Sequence, residues 1–177
     1  HLTVLCRDAT GYANLLKLVS AAHLDGFYHK PRVDKEFLGR HAAGLVALSG
    51  CLKGEISSAL LADNEPDARR LLGCYVDIFG RDRFYIELHD HGMEEQRKCN
   101  RALIALAREF GLDLVAANDV HFLDASHHEA HDVLVCIGTA SRVDDERRLR
   151  YTPELYLKSP EAMRKLFAEV PHACDNT

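Results

Sequence analysis

Three short stretches of this 177-residue chain concentrate side chains that hold metals or move protons. They are Ser49-Gly50-Cys51, Glu87 with His89-Asp90-His91, and Asn118-Asp119-Val120-His121. Histidine, cysteine and aspartate are zinc donors. One residue separates Asp119 from His121, so in an extended chain both side chains point to one side, and the same holds for His89 and His91. Solvent loops also collect His and Asp, so one such stretch would mean little. Three of them at the ends of neighbouring strands point to a metal site.

Each stretch follows an apolar run of strand length. Residues 45–48, bounded by Gly44 and Gly50, read as a buried strand, and 84–88 and 112–117 read as two more. The segments between them read as helices. Tyr12, Leu15, Leu16, Val19 and Ala22 form one face of a helix over 11–24. Asp34 caps a short helix over 34–41. Helices follow over 55–61 and over 67–79, the latter with Pro66 near its first turn. The clearest is 94–110, with Cys99, Leu103, Leu106, Ala107 and Phe110 in one stripe and Gly111 as its stop. Ser126 and Glu129 have the spacing of a capping box for a helix through about Ile137. Ser159-Pro160-Glu161 opens a last helix with Met163, Leu166 and Phe167 inward. Strands alternating with helices predict an α/β fold with a parallel sheet, whose sites form at the carboxyl ends of its strands.

Composition narrows the function. Lys plus Arg number 22 and Asp plus Glu 27, a net charge of −5 that argues against a basic protein coating nucleic acid. No window is long and apolar enough for a membrane-spanning helix, and no signal-peptide pattern opens the chain. The six cysteines include no CxxC pair and suit a reducing, cytoplasmic setting. The charge-dense run Asp144 to Arg150 reads as solvated. His127-His128-Glu129-Ala130-His131 lacks the order of a zinc-protease HExxH, so His131 reads as helix packing or a cap contact. Neither a phosphate-binding glycine loop nor a GxSxG nucleophile elbow is present. His1 in place of an initiator Met suggests a piece of a longer protein.

Several segments together resemble one family. They are His1-Leu2-Thr3-Val4-Leu5 with Gly11-Tyr12-x-Asn14-Leu15, Gly26-Phe27-Tyr28-x-Lys30-Pro31-Arg32-x-Asp34, and Leu48-Ser49-Gly50-Cys51-Leu52-Lys53-Gly54-Glu55-Ile56. Asn118-Asp119-Val120-His121-Phe122, Ala130-His131-Asp132-Val133-Leu134, Tyr156-Leu157-Lys158-Ser159-Pro160-Glu161, Leu166-Phe167 and Asn176-Thr177 follow in order. The chain resembles the amino-terminal PHP (polymerase and histidinol phosphatase) domain of bacterial C-family replicative polymerases, the DNA polymerase III alpha subunits. The resemblance runs the whole length.

That resemblance implies a distorted, TIM-like seven-stranded (β/α) barrel whose rim holds up to three metals, usually zinc, with manganese or magnesium as alternatives. Residues 1–177 would be its carboxyl-terminal part, with polymerase palm, fingers and thumb domains downstream. Of nine family ligands the last four map to His1, Cys51, Asp119 and His121, with His1 and Cys51 on one metal and Asp119 and His121 serving the two others. The remaining five would lie upstream, so the isolated chain is expected to show little phosphoesterase activity. Glu87, His89 and His91 are candidates to support the ligands, and Lys30 and Arg32 to contact phosphate, although a solvated loop is the favoured reading of that pair.

The function implied is a 3′–5′ proofreading exonuclease module that supports DNA replication within a DNA-directed DNA polymerase. Its partners would be DNA and other polymerase III holoenzyme subunits, including a separate proofreading exonuclease subunit, and no membrane. Two alternatives stand beside it: a metal-free scaffold that docks that exonuclease subunit, and a stand-alone phosphatase of the histidinol-phosphatase type.

Overall fold

The computed structural model describes residues 1–177. Its elements run β1 (Thr3–Cys6), α1 (Ala9–Leu24), α2 (Lys35–Arg40), β2 (Leu45–Leu48), α3 (Glu55–Leu61), α4 (Glu65–Phe79), β3 (Phe84–Leu88), α5 (Glu94–Phe110) and β4 (Leu114–Ala116). A 3₁₀ turn (Ala125–His127) leads into α6 (His128–Gly138), and α7 (Pro160–Leu166) and α8 (His172–Asp175) close the order. No helix is long and apolar enough to cross a membrane.

The four strands form one sheet in the order β1-β2-β3-β4. β2, β3 and β4 are parallel, as the βα alternation predicts, but β1 runs antiparallel to β2. The sheet is therefore mixed, which corrects the all-parallel expectation. Four strands with their helices are consistent with part of the expected (β/α) barrel. β1 itself escapes sequence reading, since it is four residues long and mostly exposed, with no alternation to mark it.

The core lies where α3, α4 and α5 cover the sheet. Phe79, Phe84, Leu45, Ile56, Leu72, Ile86, Leu88 and Leu106 are wholly buried there. Tyr75 and Phe79 stack on Phe84 with ring centroids 5.4 and 6.3 Å apart. The predicted stripe of α5 is inward at Cys99, Leu103, Leu106 and Ala107, and the Asp34 carboxylate accepts the Phe37 N–H at 2.7 Å.

Four expectations fail locally. The buried line of α1 is Gly11 and Leu18, with Leu15 and Ala22 half-buried, whereas Tyr12, Leu16 and Val19 are exposed, because the helix seats its glycine against the Gly44 backbone. Ser126 does not cap α6. Asp124, two residues earlier, accepts both its N–H and its hydroxyl, which closes the 3₁₀ turn first. On α7, Leu166 faces solvent while Phe167 is buried. The run 144–150 is solvated except at Arg148, whose side chain is 1% exposed and grips Asp132 through two bonds of 2.6 Å.

Candidate metal centre

The direction of β1 decides the geometry of the site. In the antiparallel register Thr3 lies opposite Leu48, so the amino end of β1 meets the carboxyl end of β2. His1 thus arrives at the same rim as the Ser49-Gly50-Cys51 turn. Gly50 turns with φ 81°, and a Cβ there would stand 3.0 Å from the His1 carbonyl oxygen, so only glycine lets the two segments touch without strain.

The Nδ1 of His1 lies 3.8 Å from the Sγ of Cys51. Zinc–nitrogen and zinc–sulfur bonds of about 2.0–2.1 and 2.3 Å around a tetrahedral ion set their donors roughly 3.6 Å apart. The pair therefore fits two corners of a zinc site. An open cleft of about 480 Å³ is lined by His1, Cys51 and Asp119 together with Glu87 and His89. Three of the four predicted ligands face one space, contributed by β1 and by the ends of β2 and β4. No set of three His, Cys, Asp or Glu side chains is close enough to hold a single ion, so the donors form a pair with Asp119 near it rather than a closed cage.

His121 does not line that cleft, but its Nδ1 lies 4.0 Å from the Asp119 carboxylate, so the two side chains do share a side. A left-handed turn at Asp119, φ 48°, brings them there in place of the expected extended chain. The Nδ1–H of His121 donates to the Asp119 carbonyl oxygen at 2.8 Å, which leaves Nε2 as its lone donor position. Its ring packs against His131 and Tyr151, with centroids 5.7 and 4.9 Å away. The segment 151–157 braces this loop, as the Leu155 carbonyl accepts the His121 N–H at 2.8 Å. His131 is a packing residue, as its place on α6 suggests; burial first, and then His121, lowers its pKa. Sequence reading missed Tyr151, because no periodicity connects it with residue 121.

Beneath the rim, Glu87 is 8% exposed and joins three segments. One oxygen accepts the Gly50 N–H at 3.1 Å and the Thr3 hydroxyl at 3.5 Å, and the other lies 3.0 Å from the Nε2 of His89. The Ser49 hydroxyl accepts the Glu87 N–H at 2.9 Å. The Nδ1 of His89 is buried without a partner. His91 is not part of the cleft. Its Nε2–H donates to the Asn118 carbonyl and its Nδ1 accepts from Gln96, both at 2.8 Å, so it braces the loop before Asp119. Its ring still lies edge-on to that of His89, with centroids 5.7 Å apart, so the two share a side as their spacing suggests. Burial pushes the His91 pKa down. Lys30 and Arg32 are exposed and border a different cavity, of about 600 Å³, which His1 also lines.

Metal donors gathered where β2 and β4 end, with an antiparallel strand delivering one more, define an α/β domain with its candidate site on a strand-end rim. Residues 1–91 match the PHP domain, and the chain belongs to the PHP domain family. It is 47% identical over 170 residues to the DNA polymerase III subunit alpha of Thermus aquaticus, covering 96% of this chain and 14% of that protein. It is 44% identical over 178 residues to the DNA polymerase III subunit alpha of Treponema pallidum, covering 100% of this chain and 15% of the relative. The DNA polymerase III subunit alpha of Deinococcus radiodurans is 43% identical over 93% of this chain and 12% of that protein. The chain is thus a PHP-domain segment of the kind found in DNA polymerase III alpha subunits, and it spans a small part of their length.

Proposed function

We propose that this chain is part of the PHP module of a bacterial replicative DNA polymerase, and that the intact module hydrolyses phosphodiesters at mispaired 3′ ends. The observation that carries this reading is the 3.8 Å approach of His1 Nδ1 to Cys51 Sγ on a cleft shared with Asp119. His1, Cys51, Asp119 and His121 would hold divalent metal, zinc being favoured by the thiolate–imidazole pair over manganese or magnesium. Such metal supplies Lewis acidity and a bound water that ionises near neutral pH.

The chain's own residues do the holding and orienting. The Cys51 thiolate and His1 imidazole provide a soft, fixed donor pair, and the Asp119 carboxylate adds negative charge at the cleft wall. His121 keeps Nε2 open because Nδ1 is committed to a carbonyl. Glu87 and His89 support the rim from below. Lys30 and Arg32, exposed beside His1, would meet phosphate on the incoming strand. The remaining ligands, completing a seven-stranded barrel, are expected upstream, so residues 1–177 alone would be inactive. Polymerisation belongs to palm, fingers and thumb domains expected downstream. DNA, the other holoenzyme subunits and a proofreading exonuclease subunit would be the partners, in the cytoplasm.

The test uses the full-length polymerase and a primer with a mispaired 3′ end. Excision that needs metal and is lost in Cys51→Ser supports the reading. Absence of both metal and excision, with tight binding of a separate exonuclease subunit, overturns it in favour of a scaffold. A second test titrates zinc into residues 1–177 and into a chain extended upstream. Equal stoichiometric, tight binding by both would refute the incomplete site.

A further inference from the structure

We infer that Glu87 is the positioning residue of this rim: its buried carboxylate ties β1, the Gly50-Cys51 turn and His89 to one point and so sets the spacing of the His1–Cys51 donor pair. The inference rests on the proposed reading of that pair as metal ligands.

Two of the three bonds to this carboxylate come from segments far apart in sequence. Thr3 is 84 positions away and Gly50 is 37. Thr3 is two residues from His1, and Gly50 directly precedes Cys51. Each donor residue is thus tethered, through a neighbour, to the same side chain. The Gly50 N–H is buried, and Glu87 is the partner that satisfies it. A buried N–H that loses its acceptor is costly, so the turn would rearrange in search of another, and Cys51 would move with it. His89 fills the remaining side of the carboxylate, and the Ser49 hydroxyl fixes the Glu87 backbone. Every oxygen is engaged, which is the condition under which a buried charged group orders its surroundings rather than loosening them. Removing a group that orients metal ligands weakens metal binding about 10–100-fold.

A purely structural tie would also be buried and bonded. What separates the two roles is whether the ligand geometry follows the carboxylate's position. Glu87→Gln keeps the length: its amide oxygen accepts the Gly50 N–H, and its NH₂ donates to the His89 Nε2 once the ring proton moves to Nδ1. Glu87→Asp keeps the charge but withdraws it by one methylene from both.

The experiment is cobalt(II) titration of the full-length polymerase and of these two variants, following the cobalt–thiolate charge-transfer absorption, with thermal unfolding in parallel. Glu87→Asp is expected to bind cobalt at least tenfold more weakly, with a diminished thiolate band. Glu87→Gln is expected to remain within about threefold of the parent and to melt like it, whereas Glu87→Asp, still folded, melts lower. Parent-like cobalt binding by Glu87→Asp overturns the inference, as does a loss in Glu87→Gln equal to that in Glu87→Asp, because keeping the side-chain length would then not preserve the donor pair. Should Glu87→Asp fail to fold, Ser49→Ala, which frees the Glu87 backbone, reads the same property: weaker cobalt binding supports the inference and parent affinity overturns it. A parent without a thiolate band overturns the metal-ligand reading itself, and the inference with it.

Discussion

The Nδ1 of His1 stands 3.8 Å from the Sγ of Cys51 across 50 positions of chain, and an antiparallel strand pair brings them there. Had β1 run parallel to β2 like the other neighbours, His1 would lie at the opposite end of the sheet, away from every other candidate ligand. The one exception to the parallel order is therefore what assembles the rim.

Cys51→Ser should lower the zinc affinity of the full-length protein by more than tenfold, whereas Cys99→Ala should leave it unchanged. Cys51 is half-buried and faces the cleft. Cys99 is 1% exposed in the core, burial pushes its pKa up, and its thiol donates to the Ser57 carbonyl at 3.7 Å. Zinc content after dialysis against a competing chelator reads both, and equal zinc retention in the two variants would contradict the assignment.

Two glycine replacements should move stability in opposite directions. A Cβ on Gly11 would sit 1.9 Å from the Gly44 carbonyl oxygen, a backbone atom that cannot swing aside. Gly11→Ala should therefore destabilise the domain by about 1–3 kcal/mol, since overpacking displaces backbone. Gly73, inside α4, meets nothing within 4 Å. There Gly→Ala should stabilise by about 0.5–1 kcal/mol by reducing the freedom of the unfolded chain. Urea denaturation of each variant gives the sign directly.

The parts of the fold legible in sequence are those where local pattern and tertiary burial agree. β2 lies between two glycines, α5 carries a helical stripe that ends at Gly111, and Asp34 caps α2 as its type suggests. The remainder depends on pairings that no window contains. β1 is defined by its partner some forty residues away, and its direction cannot be read from four residues. Arg148 looks solvated in a run of charges because its half-buried partner, Asp132, is on another element. The site divides in the same way. Residue types at the strand ends marked Cys51 and Asp119, and the family resemblance supplied His1. The role of Glu87 required the fold, since its partners lie 2, 37 and 84 positions from it.

His91 should make the domain acid-sensitive below about pH 6.5. Burial, the larger cause, lowers its folded pKa from the ordinary 6.5, although the Asn118 carbonyl partly opposes this. As pH falls through 6.5 the unfolded chain takes up a proton that the folded domain resists, so the unfolded state binds more protons and stability drops. Above 6.5 both states are neutral there and the effect vanishes. An NMR titration should find His91, held by Gln96 and Asn118, titrating below the ordinary 6.5, and an ordinary pKa would refute this. His91→Gln should flatten that part of the stability–pH curve.

The Asp132–Arg148 pair should anchor the segment that supports His121. Arg148 grips Asp132 of α6 with both terminal nitrogens at 2.6 Å, and three residues further on Tyr151 lies over the His121 and His131 rings. The Tyr151 carbonyl also accepts from the Nε2 of His128 at 3.1 Å, so the clasp ties 148–151 to α6 at two points. The Arg148 hydrogen bond, the leading cause, holds the Asp132 carboxyl below the usual carboxylate range. A carboxyl depressed in the folded state contributes stability that is complete above its unfolded pKa of about 4 and is lost as pH falls through the folded value. Asp132→Asn should therefore lower the melting temperature at pH 7, with the difference from the parent shrinking in strong acid. Exchanging the two charges, Asp132→Arg with Arg148→Asp, should recover part of the loss. Amide hydrogen exchange adds the local reading: protection of His121 and Leu157, whose N–H groups are bonded across this loop, should fall in Asp132→Asn while that of β3 is unchanged. Equal loss across both regions would mean that the pair stabilises the domain as a whole and does not act specifically on the His121 loop.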